Sequence, residues 1–307
     1  MTRKVQWELM FPDELEAALA ACPIVYFPYG LCEPHGPHCA VGLDALKAHS
    51  IACRAAQTHG GIVAPPDYWH IHEIGLYASW AAENVGEARS WLTAMPPWQH
   101  FKNICYHLRA ADALGFHAAI LLTGHYGPNW QDLKTLVEIL QPYFAMRLYG
   151  LPDFEANQPG FEGDGQYGTS SGDHAGKVET SLLWALDPEC VDVSRFPELD
   201  EDGQETGPHF AMGATARQSS RQVGERMVED EVCWLGEKAT ELLAAYQEPT
   251  DRLPLTFMDI ERIWANEILP KLGEFQTMSY LDRVPPAEDS VWRVNYEIPE
   301  VGEISSV

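Results

Sequence analysis

Residues 30–50 concentrate side chains that can bind metal ions. The segment reads GLCEPHGPHCAVGLDALKAHS and includes the carboxylates of Glu33 and Asp44 and the imidazole of His35. A second apolar segment, FHAAILLTGHYGPNW, runs into a turn that carries His125. Carboxylate oxygens and imidazole nitrogens, without thiolates, are suitable ligands for Zn²⁺, Mn²⁺ or Fe²⁺. The types and spacing of these residues therefore favour a metal site.

Two divalent ions held by such a set would have a defined chemistry. A carboxylate can bridge ions that lie roughly 3.5 Å apart, and the pair can share a water and deprotonate it at neutral pH. The resulting hydroxide attacks amides well because the ions also polarise the carbonyl group. The chemistry expected of this site is amide hydrolysis by a hydroxide that bridges two metal ions.

Each of these residues also has a purely structural explanation. Asp44 is a suitable cap for the helix that follows it, Glu33 is a suitable solvated loop residue, and histidines often hydrogen-bond in turns. Cys32 and Cys39 lie in the same segment and offer a less favoured alternative, a catalytic thiol. The role of His38 stays open. The remaining histidines are interpreted as surface or structural residues: His49, His59, His70, His72, His100, His107, His117 and His209.

The elements that must position these residues follow from the apolar pattern. Short apolar segments predict strands in CPIVYFPYG, GIVAPP, FHAAILLT and FAMRLYG, and helical periodicity predicts helices between them. This alternation predicts an α/β fold, a single domain with a mostly parallel sheet flanked by helices. Ligands bind beyond the carboxyl ends of such strands, so the loop with Glu33 and the turn with His125 should meet.

Other segments give more local expectations. Asp44 is predicted to cap the helix that starts there, and residues 214–246 predict a long helix with a break at Gly224. Residues 191–213 are acidic and predict a loop. The segment GDHAGKVETSLLWALDP brings a third polar cluster, Asp173, His174 and Glu179, to the start of another helix.

Aromatic residues are candidates for the substrate pocket. Residues 67–99 are rich in Trp, His and Gly without a clean period, which is typical of a long functional loop or lid. We expect its indoles to form one wall of the pocket, although side chains of this size also fill cores. The candidate substrate-binding residues are Trp80, Trp91, Trp98 and Tyr126.

The charge and composition exclude some classes of protein. A formal charge of −25 over 307 residues argues against binding of nucleic acid or of anionic membranes. No apolar segment has the length of a membrane span and residues 1–23 lack the apolar core of a signal peptide, so a cytoplasmic location is predicted. We expect one domain over residues 1–248. Residues 249–307 would be a C-terminal extension packed on that domain or on a neighbouring subunit.

Three motifs resemble those of one protein family. GLCEPHGPHCAVGLDALKAHSIA is similar to the G-S-x-E-Q-H-G-P-H-L-P-L-G-x-D-x-x-I-A signature of the creatininase (creatinine amidohydrolase) family. LLTGHYGPN resembles its N-G-H-x-x-N turn, and GDHAGKVETSLLWALDP resembles its H-A-G-x-x-E-T-S-x-x-L segment. The three motifs occur in the family order and span roughly residues 22 to 190.

The resemblance implies a dinuclear metal centre that hydrolyses C–N bonds, commonly of cyclic amides or formamides, in assemblies that are often hexameric. The ions would be Zn²⁺ or Mn²⁺, or else Fe²⁺. Asp44 would bridge them. His174 would be a general acid for the leaving nitrogen or an orienting group, with Asp173 as the alternative acid. The ligands implied by the motif match are Glu33, His35, Asp44 and His125.

The chain also departs from the family pattern. Creatininase proper carries a glutamate ligand two residues after the turn histidine, where this chain has Gly127, and the usual asparagine of the turn is Thr123. We expect Glu179 to supply the missing ligand, because hydrolytic zinc sites usually keep about three protein ligands. Asp173 is the next candidate, and the structural alternative is that Glu179 only bonds backbone donors near the helix start. With these changes, creatinine itself is not the expected substrate.

The sequence therefore predicts a metal-dependent hydrolase for a small, cyclic or ureido amide, working as a homo-oligomer. A deformylase or a peptide-trimming enzyme of the same family is the first alternative. The second is a metal-binding or assembly protein without enzymatic activity, which is less favoured because open ligand geometry has little use in a structural site.

Overall fold

Four parallel strands form the central sheet of the part of the chain that the structure describes. The computed structural model describes residues 4–72, 92–126, 129–157, 174–207, 209–250 and 253–280. The strands are β1 Ile24–Tyr29, β2 Ile62–Val63, β3 Ala118–Thr123 and β4 Arg147–Pro152. They lie in the order β2-β1-β3-β4.

Both faces of the sheet are covered, which is why the strands read as continuous apolar segments. Every residue of β1 and β3 is buried. Successive side chains point to opposite faces, so Val25 and Phe27 join one apolar cluster while Ile24 and Tyr26 join another. The core therefore consists of two layers, one on each side of the sheet.

Helices supply the outer surface of each layer. The helices are α1 Pro12–Ala21, α2 Leu43–His59, α3 Pro97–Leu114, α4 Asn129–Leu140, α5 Lys177–Leu186, α6 Arg221–Ala245 and α7 Phe257–Ile263. On the face of Ile24 pack α2, α5 and α6, and on the face of Val25 pack α3, α4 and α7. The predicted fold, an α/β domain with a mostly parallel sheet flanked by helices, is confirmed.

Two local predictions are wrong. α6 begins at Arg221 rather than at residue 214, and it continues through Gly224 without a break. A Cβ at Gly224 would overlap the backbone oxygen of Ser181 in α5. Glycine at this position allows the two helices to pack closely rather than ending one of them. The segment predicted as a loop contains a short antiparallel hairpin of β5 (Glu198–Leu199) and β6 (Glu205–Thr206).

Residues beyond position 248 contribute to the core. Ile260 and Trp264 belong to the cluster that also contains Phe101 of α3. The Asp132 carboxylate accepts hydrogen bonds from the backbone N–H groups of Gln276 and Thr277 at 2.6 and 2.7 Å. The domain boundary itself stays a prediction, and residues 281–307 lie outside the described residues. No helix among the described residues is long and apolar enough to cross a membrane.

Candidate metal centre

The carboxyl ends of three strands lie side by side. Tyr29 at the end of β1 pairs with Thr123 at the end of β3, and Thr123 pairs with Pro152 at the end of β4. The chain segments that follow these strands therefore leave the sheet at one edge. His125 is the second residue after β3, Asp153 is the first residue after β4, and the loop with Glu33 follows β1.

Two glycines bring helix α2 onto this edge. A Cβ at Gly30 would overlap the backbone of Ala45, and a Cβ at Gly124 would overlap the backbone oxygen of Asp44. The first turn of α2 consequently sits directly on the strand ends, with Asp44 at its centre. Asp44 is the second residue of α2 and Gly42 is the N-cap, so the predicted capping role of Asp44 is wrong.

The loop between β1 and α2 is folded back on itself. The backbone N–H of Glu33 donates to the carbonyl of Val41 at 2.9 Å, and the N–H of Gly36 donates to Phe210 at 2.6 Å. Gly36 has a φ of +72°, which favours glycine. These contacts hold the loop so that Glu33 and His35 are both buried.

A first group of ligand atoms forms around His125. Its Nδ1 lies 3.1 Å from Oε1 of Glu33 and 3.1 Å from Oδ2 of Asp44. The other oxygen of Glu33, Oε2, lies 2.9 Å from Nε2 of His72. Glu33, His72 and His125 are buried and close enough together to hold one ion.

A second group forms on the other side of Asp44. Nε2 of His35 lies 3.1 Å from Oδ1 of Asp44 and 3.9 Å from Oε2 of Glu179. These three residues are also buried and close enough to hold one ion. The two oxygens of Asp44 thus face different groups, Oδ2 toward His125 and Oδ1 toward His35.

Hydrogen bonds to the backbone orient the histidines. Nδ1 of His35 donates to the carbonyl of Glu33 at 3.1 Å, which leaves Nε2 as the unprotonated nitrogen of the neutral ring. Thr123 contacts both backbone polar groups of His125, accepting from its N–H at 3.2 Å and donating to its carbonyl at 3.0 Å. Thr123 thus holds the turn at the place where the family usually has asparagine.

Two buried atoms at the centre have the properties of metal ligands. Nε2 of His35 and Oδ1 of Asp44 make no hydrogen bond of ordinary geometry with any described residue. Buried polar atoms are normally satisfied, and leaving one unsatisfied is costly. A divalent cation between them would satisfy both, and the oxygen and nitrogen donors suit Zn²⁺ or Mn²⁺. The residues present therefore fit a metal centre.

The charges of the cluster depend on one another. Burial raises the pKa of Glu33, but His125 and His174 attract its charged form and hold its pKa well below the usual range. Burial likewise opposes ionisation of Asp44, yet the attraction of His35 lowers the pKa of Asp44. Burial lowers the pKa of His35, and the stronger attraction of Asp44 and Glu33 raises it to about 9. The carboxylates are therefore ionised and ready for cations.

His174 covers the cluster from the solvent side. Its ring stacks on that of His35 with 4.4 Å between centroids, and its Nδ1 lies 3.8 Å from Oε1 of Glu33. Nε2 lies 2.8 Å from the carbonyl of Pro34. A carbonyl only accepts, so Nε2 carries the proton and Nδ1 faces the cluster. The side chain of His174 is 25% exposed, so it can reach both the centre and a bound molecule.

The predictions for the other site residues stay predictions. Asp173, Trp80 and Trp91 lie outside the described residues. Trp98 is half-buried and packs against the apolar cluster that contains Phe101, and its predicted role as a pocket wall stays a prediction. Tyr126 lies behind the centre, where its hydroxyl donates to Asp153 at 2.6 Å.

The thiols and His38 do not join the ligand groups. Burial raises the pKa of the Cys39 thiol to about 12 and also raises that of Cys32, so neither favours the nucleophilic thiolate. Nε2 of His38 lies 2.9 Å from the hydroxyl of Thr180, and burial lowers the pKa of His38 to about 4.

Sequence reasoning missed three buried residues of the site. The prediction places His72 among the surface or structural residues, yet Nε2 of His72 contacts Glu33. Lys47 and Asp153 are not among the predicted site residues, and both are completely buried beside Glu179 and Tyr126. Signals for two of them were present: Lys47 follows Asp44 by one helical turn, and Asp153 follows a predicted strand.

The fold and site define an α/β protein with a buried carboxylate–histidine centre at the carboxyl edge of its sheet. The sequence profile of the creatininase family, described as creatinine amidohydrolase, matches residues 8–238. Because this match spans most of the length, the chain belongs to the creatininase family.

Individual relatives support the same assignment. The chain is 26% identical over 251 residues to the creatinine amidohydrolase of Pseudomonas putida, covering 73% of this chain and 90% of that protein. A solved manganese creatininase is 21% identical, covers 78% of this chain and 98% of its own, and superposes with a TM-score of 0.56. A creatininase variant of Zn–Zn type is also 21% identical, with the same coverage of 78% and 98% and a TM-score of 0.57. These structures share the fold.

Proposed function

We propose that the protein hydrolyses a C–N bond of a small, cyclic or ureido amide at a centre of two divalent ions. The observation that supports this most directly is the position of Asp44. Its two carboxylate oxygens lie 3.1 Å from the nearest nitrogens of two separate ligand groups, as expected for a carboxylate that bridges two ions.

The residues of the two groups divide between the ions. Glu33, His125 and His72 would hold one ion, His35 and Glu179 would hold the other, and Asp44 would be shared. When bound, Zn²⁺ or Mn²⁺ supplies an activated water and polarises the substrate carbonyl. Solved creatininase structures include a manganese form and a Zn–Zn form, which supports either metal at this centre.

His174 moves a proton at its Nδ1 atom. Because Nε2 donates to the carbonyl of Pro34, the neutral ring accepts a proton only at Nδ1, on the side of Glu33. The protonated ring can then donate from the same atom to the leaving nitrogen. Such a positioned acid contributes typically about 10²–10⁴-fold to the rate. Stacking on His35 fixes the plane of the ring.

A substrate screen tests this function. Metal-free protein is reconstituted with Zn²⁺ or Mn²⁺ and assayed on cyclic amides, ureas, formamides and short peptides, with release of amine or acid as the measurement. We expect hydrolysis of a cyclic or ureido amide that is lost on chelation and restored by metal. Turnover of formamides or peptides alone would assign the deformylase or peptide-trimming alternative instead.

The remaining alternative has its own signature. Two tightly bound ions without hydrolysis of any of these substrates would indicate a metal-binding protein that is not an enzyme. Failure to bind two ions would contradict the proposal altogether. A homo-oligomeric, hexameric assembly and a cytoplasmic location stay predictions.

A further inference from the structure

A buried lysine lies behind the second ligand group. Lys47 is completely buried, one helical turn after Asp44 on α2. Its ammonium lies 3.3 Å from Oε1 of Glu179, 2.7 Å from the hydroxyl of Tyr126 and 3.9 Å from Oδ2 of Asp153. A buried charge of this kind is costly unless it is paired, which points to a specific role.

The contacts of Glu179 divide its carboxylate into two halves. Oε1 faces Lys47, while Oε2 accepts the backbone N–H of Ala175 at 2.7 Å and faces His35. Ala175 has a φ of +52°, a conformation that residues other than glycine rarely adopt. The backbone turn at Ala175 and the ammonium of Lys47 together fix the plane of the carboxylate.

Tyr126 and Asp153 also fix the position of the Lys47 ammonium. Tyr126 accepts a hydrogen bond from the ammonium and donates one to Oδ1 of Asp153. Burial raises the pKa of Asp153 to about 6, against the opposing attraction of Lys47. The ammonium of Lys47 lies between the carboxylates of Glu179 and Asp153, so its charge is paired within the buried site. The end of β4 is thus connected with the second ligand group by successive contacts through Asp153, Tyr126, Lys47 and Glu179.

We propose that Lys47 is a positioning residue that makes Glu179 a metal ligand. By holding Oε1, it presents Oε2 to the ion that His35 and Asp44 share. This inference rests on the proposed dinuclear centre and explains how Glu179 can serve where Gly127 offers no side chain. Residues that orient ligands in this way typically change metal affinity by about 10–100-fold when they are mutated.

The sign of the effect separates positioning from simple electrostatics. A positive charge beside a cation site weakens cation binding by repulsion. If Lys47 were only a neighbouring charge, its removal would strengthen binding of the second ion. If it positions Glu179, its removal weakens that binding, because the carboxylate loses its fixed orientation.

The test uses Lys47→Met in the full-length, metal-free protein, titrated calorimetrically with Mn²⁺. We expect two sites in the wild type, and in the variant one unchanged site and one that is weaker by roughly 10–100-fold. Electron paramagnetic resonance should show a coupled manganese pair in the wild type and mainly isolated Mn²⁺ in the variant. Lys102→Met is the matched control, since Lys102 also pairs with a carboxylate, at 2.8 Å from Glu261, on α3.

A double variant tests whether Lys47 acts through Glu179. In a Glu179→Gln background, Lys47→Met should weaken the second site no further. Unchanged or stronger binding in Lys47→Met, or an equal further loss in the double variant, would overturn the inference. A wild type that binds fewer than two ions would instead contradict the dinuclear centre itself. If Lys47→Met does not fold, the same comparisons are made with Lys47→Gln.

Discussion

Oδ1 of Asp44 lies 3.1 Å from Nε2 of His35, and neither buried atom makes a hydrogen bond of ordinary geometry with a described residue. A divalent cation between these two atoms would satisfy both of them. Asp44→Ala should therefore lose both ions and all turnover, as measured by elemental analysis and the amide assay. Two bound ions and full activity in this variant would refute the bridging role of Asp44.

The fold of the Asp44→Ala variant should survive. Asp44 is not the N-cap of α2, so the variant keeps the residue that begins the helix. Circular dichroism of the metal-free variant checks this and separates loss of metal from loss of structure.

Glutamine substitutions should distinguish the two ions. Glu179→Gln keeps the size of the side chain but removes its charge, so it should lower occupancy of the ion near His35 only. Glu33→Gln is the matched variant and should instead lower occupancy of the ion near His125. Titration with Mn²⁺ measures both. Two full equivalents and normal turnover in Glu179→Gln would show that the ligand comes from elsewhere.

His174→Ala should slow turnover without removing metal. The ring supplies a proton at Nδ1, so its loss should reduce kcat by about 10²–10⁴-fold. Loss of metal in the same variant would make His174 a ligand, a role that its position near Glu33 and His35 also permits.

Metal binding should release a proton. The pKa of His35 is raised to about 9 in the metal-free protein, so its ring is protonated at pH 7 and must lose a proton to bind an ion. The pKa values of Glu33 and Asp44 are lowered, so these carboxylates are already ionised. Affinity for the second Mn²⁺ should rise up to about tenfold per pH unit from pH 7 and level off above pH 9.

Calorimetry in buffers of different ionisation enthalpy measures this proton directly. We expect release of about one proton for the second ion at pH 7. A binding enthalpy that does not depend on the buffer, with an affinity that does not change between pH 7 and pH 9, would contradict a protonated His35.

Gly124→Ala should disturb the centre from its backbone side. A Cβ at Gly124 would overlap the backbone oxygen of Asp44. To relieve this overlap, α2 would have to shift away from the strand ends. We expect a loss of about 1–3 kcal/mol in the free energy of unfolding, together with weaker metal binding. Gly273→Ala is the control, because its Cβ would meet no atom within 4 Å. Equal stability of both variants in chemical denaturation would contradict the close contact.

The sequence by itself determined the sheet, its layers and most of the candidate ligands. Buried parallel strands have a local signature, a short apolar segment, and the parallel arrangement brings their carboxyl ends to one edge. Glu33 and His125 could therefore be placed together without any tertiary information, and the structure has them 3.1 Å apart.

Only the tertiary structure decided which further side chains face the centre. His72 sits in a segment whose local pattern does not differ from that of a surface or core residue. Lys47 follows Asp44 by one helical turn, but this spacing does not show whether its ammonium faces the centre. Their roles depend on strand register and on the contact of α2 with Gly124, which are properties of residues distant in the sequence. Gly224 shows the same limit: a glycine within a helix can end it or allow close packing, and only the position of Ser181 distinguishes the two.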